Sequence, residues 1–393
     1  MTIQSKLPNV GTTIFTVMSA LAEQHKAINL SQGFPNFNCS ETLQDLVHFY
    51  MKQGANQYAP MAGLPRLREV LAQKIEDLYQ RPTNPNTEIT ITAGGTQALF
   101  TAIAAFIRPD DEVILIEPAY DSYAPSVETF GGKVVAYQLR PPQYKVDWDD
   151  FKQLVTPKTK MIVINTPHNP TGKILTINDL EKLNAITEGS DIIVLSDEVY
   201  EHLIYDGQKH ASVLRFPQLA ERSIAAFSFG KTFHATGWKM GYVVAPDYLM
   251  QEFRKVHQFN VFSVNTPVQH ALADFLMDAD NYLQLPDFYQ QKRDFFLDSM
   301  KNSRLRPLVC EGTYFQLFDY SDVSDALDTD FCQWLTKEIG VAAIPVSVFY
   351  SKNEGNLKQN QAKSGVFCEK IIRLCFAKTE DTLATAALRL TTI

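Results

Sequence analysis

Residues with complementary chemistry follow the apolar runs of this sequence. They comprise a glycine turn that opens a helix, an aromatic ring, an amide, a carboxylate, a phenol and an amine: Gly94-Gly95-Thr96, Tyr120, Asn169, Asp197, Tyr200 and Lys231. If the apolar runs are parallel strands, these groups meet at one edge of the sheet, because an open parallel sheet binds its ligand beyond the carboxyl ends of its strands. The set suits a planar, phosphorylated cofactor that carries a carbonyl group.

Each of these motifs also has an ordinary structural explanation. The turn at Gly94-Gly95-Thr96 could bind phosphate at a helix N-terminus, but alone it is more typical of a tight turn. Asn169-Pro170-Thr171-Gly172 is typical of a β-turn, Asp197 of a helix cap and Lys231 of a solvated surface lysine. The glycine pattern is not GxGxxG, so it does not favour a dinucleotide-binding fold.

The elements that would position these groups alternate along the middle of the chain. Short β-branched runs predict six strands: Ile89–Thr92, Val113–Ile116, Val134–Leu139, Met161–Asn165, Ile192–Ser196 and Ile224–Ser228. Segments with helical spacing lie between them, among them Thr96–Ile107 and Ile177–Ile186. Apolar strands interleaved with helices are typical of βαβ units, so the sequence predicts an α/β fold with a mainly parallel sheet.

The last third of the chain predicts a smaller α+β unit. The predicted helices and strands are Asp287–Ser303, Thr313–Asp319, Asp330–Glu338, Val341–Ile344 and Ile371–Phe376. Their mixed order is typical of an α+β domain. The polar segment 351–365 predicts an exposed loop, and residues 1–12 predict an N-terminal arm.

Composition and charge restrict the classes of partner. Of the 393 residues, 45% are hydrophobic and 20% are charged, which indicates a globular chain with a large core. The formal net charge of −8 disfavours a nucleic acid or an anionic membrane as partner, and the apolar runs are too short to span a bilayer. Five scattered cysteines without a CxxC pair, and an N-terminus without an apolar signal segment, predict a cytoplasmic protein. The eight histidines have no ligand spacing, so no metal site is predicted.

Several motifs occur in a defined order: Asn169-Pro170-Thr171-Gly172, Asp197-Glu198-Val199-Tyr200, Ser228-x-x-Lys231, Gly237-Trp238-Lys239-x-Gly241 and Arg373. In order and spacing they resemble the fold-type I pyridoxal-phosphate (PLP) aminotransferases of classes I and II, over about residues 11–388. Four further segments resemble the kynurenine/glutamine/methionine aminotransferase branch: Ser31-Gln32-Gly33-Phe34-Pro35, Gln57-Tyr58-Ala59-Pro60, Asp121-x-Tyr123 and the stretch from Ile372 to Lys378.

The resemblance implies an aspartate aminotransferase-like fold with two domains. The large PLP-binding domain would span residues 46–284, and the small domain would combine 13–45 with 285–393. The small domain must contain both the N-terminal and the C-terminal part of the chain, so that the segment around Gly33 can meet Arg373. The resemblance also implies a homodimer with shared active sites.

The resemblance assigns catalytic roles to Lys231, Asp197 and Tyr200. Lys231 would bind the PLP aldehyde covalently and later move a proton at the substrate. Asp197 would keep the pyridine nitrogen protonated, so that the ring accepts electrons. Tyr200 and Asn169 would hydrogen-bond the ring oxygen, and Tyr120 would stack on the ring face.

Phosphate binding is implied for three backbone amides and two side chains: Gly95, Thr96, Gln97, Ser228 and Lys239. Many relatives carry arginine where Lys239 stands, and some carry an aromatic residue at the position of Thr96. Lysine keeps the charge but lacks the bidentate fork of arginine. In the resembling family, the tyrosine that matches Tyr58 reaches the phosphate of the partner subunit.

Substrate binding is implied for Arg373, Gly33 and Asn169. Arg373 would hold the α-carboxylate bidentately, and the Gly33 N–H would assist; taken alone, Arg373 is equally typical of an ion pair at the sheet rim. Phe15 and, across the dimer interface, Phe262 would line the side-chain pocket. No arginine or lysine occurs at 12–15 or 257–263, so a neutral, bulky side chain is predicted.

The function predicted is transamination of methionine, an aromatic amino acid, glutamine or kynurenine with a 2-oxo acid. A carbon–sulfur β-lyase acting on cysteine conjugates is the alternative, because enzymes that use PLP for different reactions share the residues that hold the cofactor. Ser228-x-x-Lys231 also fits the S-x-x-K pattern of penicillin-binding enzymes, but no K-T-G follows it. A DNA-binding regulator with an aminotransferase-like domain is disfavoured by the negative charge.

Overall fold

Six of the seven strands in the largest sheet run in the same direction. In the computed structural model, which describes residues 3–351 and 370–393, the strands are β1 (Ile28–Asn29), β2 (Ile89–Thr92), β3 (Glu112–Glu117), β4 (Lys133–Gln138), β5 (Thr159–Asn165), β6 (Ile193–Asp197), β7 (Ser223–Ser228), β8 (Gly241–Val244), β9 (Arg306–Pro307), β10 (Phe315–Asp319), β11 (Val341–Ala342), β12 (Ile344–Pro345) and β13 (Ile371–Cys375). The sheet order is β2-β8-β7-β6-β5-β3-β4, and only β8 is antiparallel to its neighbours. The predicted mainly parallel α/β sheet is therefore confirmed.

The helices of the described residues alternate with these strands in the middle of the chain. They are α1 (Ile14–Gln24), α2 (Glu41–Lys52), α3 (Pro65–Tyr79), α4 (Gly94–Phe106), α5 (Tyr123–Thr129), α6 (Trp148–Lys152), α7 (Ile177–Thr187), α8 (Pro217–Ala220), α9 (Phe229–Thr232), α10 (Asp247–Asn260), α11 (Thr266–Phe275), α12 (Asp280–Leu283), α13 (Leu285–Ser299), α14 (Asp328–Trp334) and α15 (Glu380–Leu390). Helix α7 begins with a capping box in which Thr176 and Asp179 satisfy each other's backbone N–H groups.

The six predicted central strands are present, and their ends lie within two residues of the prediction. Strand β8 was missed, because it is four residues long and only the four-residue helix α9 lies between β7 and β8, so the two strands do not form a βαβ unit. The single strand predicted near Val341–Ile344 is wrong. Residues 341–342 pair with β1, whereas residues 344–345 pair with β13 in a different sheet. Ala343 lies between the two, so the chain changes sheets within three residues.

Alternation along the central strands divides the core between the two faces of the sheet. On β3, Val113 and Leu115 belong to one buried cluster and Ile114 and Ile116 to the other. Successive side chains of a strand point to opposite faces, so a strand with apolar residues at every position must be covered on both sides. Helix α4 covers the first face, and its small and branched buried residues allow close packing on the strands. This packing fixes the N-terminus of α4 at the carboxyl edge of the sheet.

The N-terminal segment returns to the C-terminal part of the chain. Strand β1 pairs in parallel with β11, and β12-β13-β10-β9 form an antiparallel sheet. These pairings support the two-domain division given above, which remains a proposal. Helix α2 runs continuously across the boundary proposed between residues 45 and 46, whereas α13 begins at the boundary proposed at 285.

Within the described ranges, no helix is long and apolar enough to cross a membrane. Cys39, Cys310, Cys332 and Cys375 are free thiols. The loop predicted at 351–365 lies outside the described residues except for Ser351, and most of the predicted 1–12 arm, from Ile3 onward, has no helix or strand.

Candidate active site

A cavity of about 260 Å³ lies at the carboxyl edge of the seven-stranded sheet. Twelve residues predicted for the site line it: Phe15, Gly33, Gly95, Thr96, Tyr120, Asn169, Asp197, Tyr200, Ser228, Lys231, Lys239 and Arg373. They come from the loops after β3 and β5, the ends of β6 and β7, the start of α4, the turn before β8, the N-terminal segment and β13. The fold thus brings together groups that lie up to about 360 residues apart in the sequence.

Asp197 is the last residue of β6 and is 4% exposed. Its carboxylate accepts a hydrogen bond from the Tyr123 hydroxyl at 2.6 Å and one from the Val199 N–H at 3.2 Å. Burial raises the pKa of this carboxyl to about 6, although both hydrogen bonds oppose that shift. A cationic group in the cavity would therefore stabilise the ionised carboxylate.

Lys231 lies in the short helix α9 that follows β7, and Ser228 caps this helix by accepting the Lys231 backbone N–H. The side-chain Nζ donates to the Gly33 carbonyl at 3.1 Å and to the Tyr314 hydroxyl at 2.9 Å. Burial, together with the smaller effect of the nearby Arg373 charge, lowers the pKa of this amine to about 8. Near neutral pH the amine therefore has a neutral fraction that can act as a nucleophile.

The N-terminus of α4 provides donors for an anion. The first N–H groups of a helix have no partner within it, and they lie at the positive end of the helix dipole. Helix α4 begins at Gly94, whose φ of +81° favours glycine. A Cβ added at Gly94 would lie 3.6 Å from Cε of Lys239, so this lysine side chain crosses the helix terminus. A Cβ at Gly95 would lie 2.9 Å from Val199, so only glycine allows this close approach.

Arg373 occupies the middle of β13 and is 1% exposed. Its Nη1 donates to Oδ1 of Asn169 at 2.7 Å, and its Nη2 donates to the Ser31 carbonyl at 3.1 Å. The guanidinium lies 3.9 Å from the ring centre of Phe315. Burial lowers its pKa to about 10, which leaves it charged at neutral pH. The buried Nε has no hydrogen-bond partner, which is a sign of a missing acceptor such as a carboxylate.

Three predicted residues do not line the cavity. The Gln97 side chain accepts from the Ala93 N–H and lies against Thr101 and His257, so only its backbone N–H remains available to an anion. Tyr58 and Phe262 contact each other edge to face at a centroid distance of 5.2 Å, away from the cavity. Their side chains are largely exposed, at 81% and 41%.

Sequence analysis missed three residues of the site. Tyr314 bridges Lys231 and Gly33, and Tyr123 donates to Asp197. Phe315 lies under the Arg373 guanidinium. Tyr123 occurs in the Asp121-x-Tyr123 motif after a predicted strand, and that position could have indicated a residue of the site. Phe315 begins an antiparallel strand of the C-terminal sheet and Tyr314 directly precedes it, and nothing local distinguishes the two from core aromatic residues.

The fold and the cavity define an α/β enzyme with a partly buried lysine, a buried carboxylate and a buried guanidinium at one sheet edge. The sequence profile of the family "Aminotransferase class I and II" matches residues 25–390. The chain therefore belongs to the class I and II aminotransferases. This assignment overrules the penicillin-binding interpretation of Ser228-x-x-Lys231 and confirms that the protein is an aminotransferase.

Individual relatives agree with this family. A methionine aminotransferase of Escherichia coli is 53% identical over 388 residues, which cover 98% of this chain and 97% of the relative. Human kynurenine–oxoglutarate transaminase 1 is 34% identical over 395 residues, covering 92% and 91% of the two chains. The structure of YbdL from Escherichia coli, described with a methionine aminotransferase function, matches with a TM-score of 0.94 at 52% identity and covers 100% of both chains. The predicted family fold is therefore confirmed.

Proposed function

We propose that this chain binds pyridoxal 5′-phosphate at Lys231 and transfers the amino group of a neutral, bulky L-amino acid to a 2-oxo acid. Methionine is the first candidate donor, followed by aromatic amino acids, glutamine and kynurenine. The observation that carries the proposal is one cavity that holds a partly buried lysine, a buried carboxylate, a helix N-terminus and a buried guanidinium. We also propose a cytoplasmic homodimer as the active form.

The donor set of the cavity fits PLP. The cofactor phosphate would accept from the N–H groups of Gly95, Thr96 and Gln97, with Ser228 and Lys239 beside them. The raised pKa of Asp197 supports a cationic pyridine nitrogen as its partner. Tyr120 offers an aromatic face at the cavity wall. Each polar part of the cofactor thus has a group of matching charge in the cavity.

When bound, PLP supplies a carbonyl that takes the amino group and a ring that withdraws electrons from the substrate Cα. Lys231 would hold that carbonyl through its neutral amine and, when free of it, would carry a proton at the substrate Cα. Its hydrogen bonds to Tyr314 and the Gly33 carbonyl fix the position of Nζ in the cavity. Tyr123 orients the Asp197 carboxylate, so that it needs no rearrangement during the reaction.

The substrate carboxylate is assigned to Arg373. Its unpartnered Nε and its two Nη groups form the fork that binds a carboxylate bidentately. Asn169 and the Ser31 carbonyl already hold two of the N–H groups, which fixes the plane of the guanidinium. Gly33 lies at the same end of the cavity, and its N–H would provide a further donor.

The side-chain pocket is assigned to apolar and aromatic residues. Phe15 lines the cavity and stacks obliquely on Phe349, with ring centres 5.9 Å apart. A dicarboxylic substrate needs a second cation for its distal group. Segment 12–15, and segment 257–263, which the proposal brings in from the partner subunit, contain no arginine or lysine. A thioether or ring gains about 0.8 kcal/mol per buried CH₂ in such a pocket. The names of the relatives, methionine aminotransferase and kynurenine–oxoglutarate transaminase, are consistent with this class.

Tyr58 and Phe262 enter the proposal through the partner subunit. Both are exposed aromatic residues near a shallow cavity lined by residues 56–58 and 263–267, as expected for a surface that another copy covers. We propose that they complete the neighbouring active site. Co-expressed Lys231→Ala and Tyr58→Phe chains provide the test: if Tyr58 acts in trans, the mixed dimer has one site free of both changes. Activity of a monomer at the wild-type level would contradict the proposal.

The substrate proposal is tested with a panel of amino acids and 2-oxo acids on the purified holoenzyme. We expect kcat/KM for methionine to exceed that for aspartate by at least tenfold, and amino groups to be recovered on the 2-oxo acid. A preference for aspartate would contradict the pocket argument. If a cysteine S-conjugate instead gave pyruvate and a free thiol faster than any amino transfer, the β-lyase alternative would replace the proposal.

A further inference from the structure

Four consecutive carbonyl groups of the N-terminal segment are held by side chains. Ser31 accepts from Arg373, and Gly33 accepts from both Tyr314 and Lys231. The carbonyls of Gln32 and Phe34 both accept from Nζ of Lys378, at 3.4 Å and 2.7 Å. Three of these four donors line or contact the site described above. Lys378 is the fourth, and it does not line the cavity.

Lys378 lies three residues after β13 and is 3% exposed. Among the described residues no carboxylate lies within ion-pair distance of its Nζ, so the charge is satisfied by carbonyl groups. A buried ammonium is costly unless its donors are used. The Lys378 carbonyl in turn accepts from Lys292 at 3.1 Å, which fixes the backbone from which the side chain extends. The ammonium group of Lys378 is therefore used to bind the carbonyls of Gln32 and Phe34, which flank Gly33.

The position of Lys378 has a consequence for the Gly33 N–H. This N–H belongs to the same planar peptide group as the Gln32 carbonyl, and in a trans peptide the two point in opposite directions. The peptide bond between Gln32 and Gly33 is not among the cis bonds of the structure. A carbonyl directed at Lys378 thus directs the Gly33 N–H away from it. Lys378 also holds the Phe34 carbonyl, one peptide group further on, and the Gly33 carbonyl between the two accepts from Tyr314 and Lys231.

Gly33 cannot be held by its own side chain. A Cβ there would lie 2.7 Å from Cζ of Phe315, the ring that packs under Arg373. Glycine allows the segment to approach the substrate end of the cavity, but it also gives the backbone more freedom than any other residue. An external anchor compensates for that freedom.

We propose that Lys378 is a positioning residue for the substrate carboxylate, which binds the carbonyls of Gln32 and Phe34 and so aims the Gly33 N–H without touching the substrate. The inference rests on the proposed function, because it takes Gly33 and Arg373 as the carboxylate site. A positioning role of this kind affects the binding of the substrate carboxylate, and it leaves the rate of the chemical step unchanged.

The test compares Lys378→Met with wild type in the holoenzyme. Two quantities are measured: the KM and kcat for methionine, and the calorimetric Kd for a saturated monocarboxylate of similar length. We expect KM and Kd to rise about tenfold and kcat to stay within about twofold, because a lost ground-state contact acts on binding. Lys378→Arg keeps a charged donor and should recover most of the affinity. A primary amine with the methionine side chain but no carboxylate should react equally with all three proteins.

Lys370→Met serves as the control. Lys370 lies beside the same strand as Lys378, but its side chain pairs with Asp325, and neither residue lines the cavity. Unchanged KM and Kd in Lys378→Met would overturn the inference, as would an equal loss for the amine that lacks a carboxylate. If Lys378→Met does not fold, Lys378→Gln replaces it, because its amide ends one atom short of the lysine Nζ and loses both contacts; an unchanged Kd in that variant would also overturn the inference. If monocarboxylate binding depends on Arg373 but not on Lys378, the carboxylate site stands and only this inference fails. If the wild-type protein transaminates no neutral amino acid, the proposed function itself is contradicted.

Discussion

The two ends of the cavity are built differently. The end that contains Asp197 and Lys231 is formed by the ends of β6 and β7, which are adjacent in one sheet. The end that contains Arg373 and Gly33 is formed by segments that meet only through tertiary structure, as in the hydrogen bond between Arg373 and Ser31, 342 positions apart. The first end is determined by the sheet, and the second depends on how the chain termini pack against it.

The ends also differ in electrostatics. Burial brings the pKa of Asp197 up to about 6 and that of Lys231 down to about 8, so both groups are close to titration at neutral pH. Arg373 keeps its charge, because even a lowered pKa of about 10 lies well above neutrality. One end is therefore suited to proton transfer and the other to holding an anion.

The largest expected effect is at the amine. Lys231→Ala should lose nearly all turnover, on the order of 10⁴-fold or more, because it removes the covalent attachment and the proton carrier together. The variant should still bind PLP without a covalent bond, because the donors at the α4 N-terminus remain. Turnover is measured with methionine, and attachment by mass spectrometry after borohydride reduction. Wild-type activity in this variant would show that Lys231 has no catalytic role.

A smaller but still large effect is expected at the carboxylate of the same end. Asp197→Asn should lower kcat by about 10³-fold, or roughly 4 kcal/mol, because the neutral amide cannot keep the pyridine nitrogen protonated. The KM for methionine should change little, since Arg373 and Gly33 are untouched. The measurement is steady-state kinetics at saturating PLP. A change confined to KM would contradict the division between the two ends.

At the other end, Arg373→Gln should lower kcat/KM for methionine by about 10²-fold, or roughly 2.7 kcal/mol, mainly through KM. The glutamine amide can still bond Asn169 but provides no charged fork. The corresponding amine without a carboxylate should react as with wild type. Equal losses for the amino acid and the amine would mean that Arg373 supports the structure instead of the carboxylate.

The smallest effect concerns pH. In protein freed of cofactor, the rate at which Lys231 reacts with pyridoxal should rise up to about tenfold per pH unit below pH 8 and level off above it. The sign follows because only the neutral amine attacks, and its fraction grows as pH approaches the pKa of about 8. Borohydride trapping followed by peptide mass spectrometry measures the rate at Lys231 alone. A plateau beginning only above pH 10 would indicate an ordinary, solvated lysine.

The motifs at the sheet edge were visible in the sequence because strand ends and helix starts are local patterns. Apolar runs predicted β2 to β7 nearly to their ends, and the residues after them predicted Asp197 and Lys231. Strand β8 was missed because it is short and antiparallel to β7, so no long crossover helix precedes it. The strand near Val341–Ile344 was misjudged because a local pattern cannot show that neighbouring residues join different sheets.

The sequence by itself determined the chemistry available to this protein, because nucleophile, carboxylate and guanidinium are set by residue type and order. Tertiary structure alone decided the surroundings of those groups. Tyr314 contacts Lys231, and Lys378 holds the carbonyls beside Gly33, through contacts between residues 83 to 346 positions apart. No local pattern encodes such pairs, because their energy is gained only when separate layers pack and exclude water from the donors. Burial, and with it the pKa values of Asp197 and Lys231, is likewise a property of the folded chain.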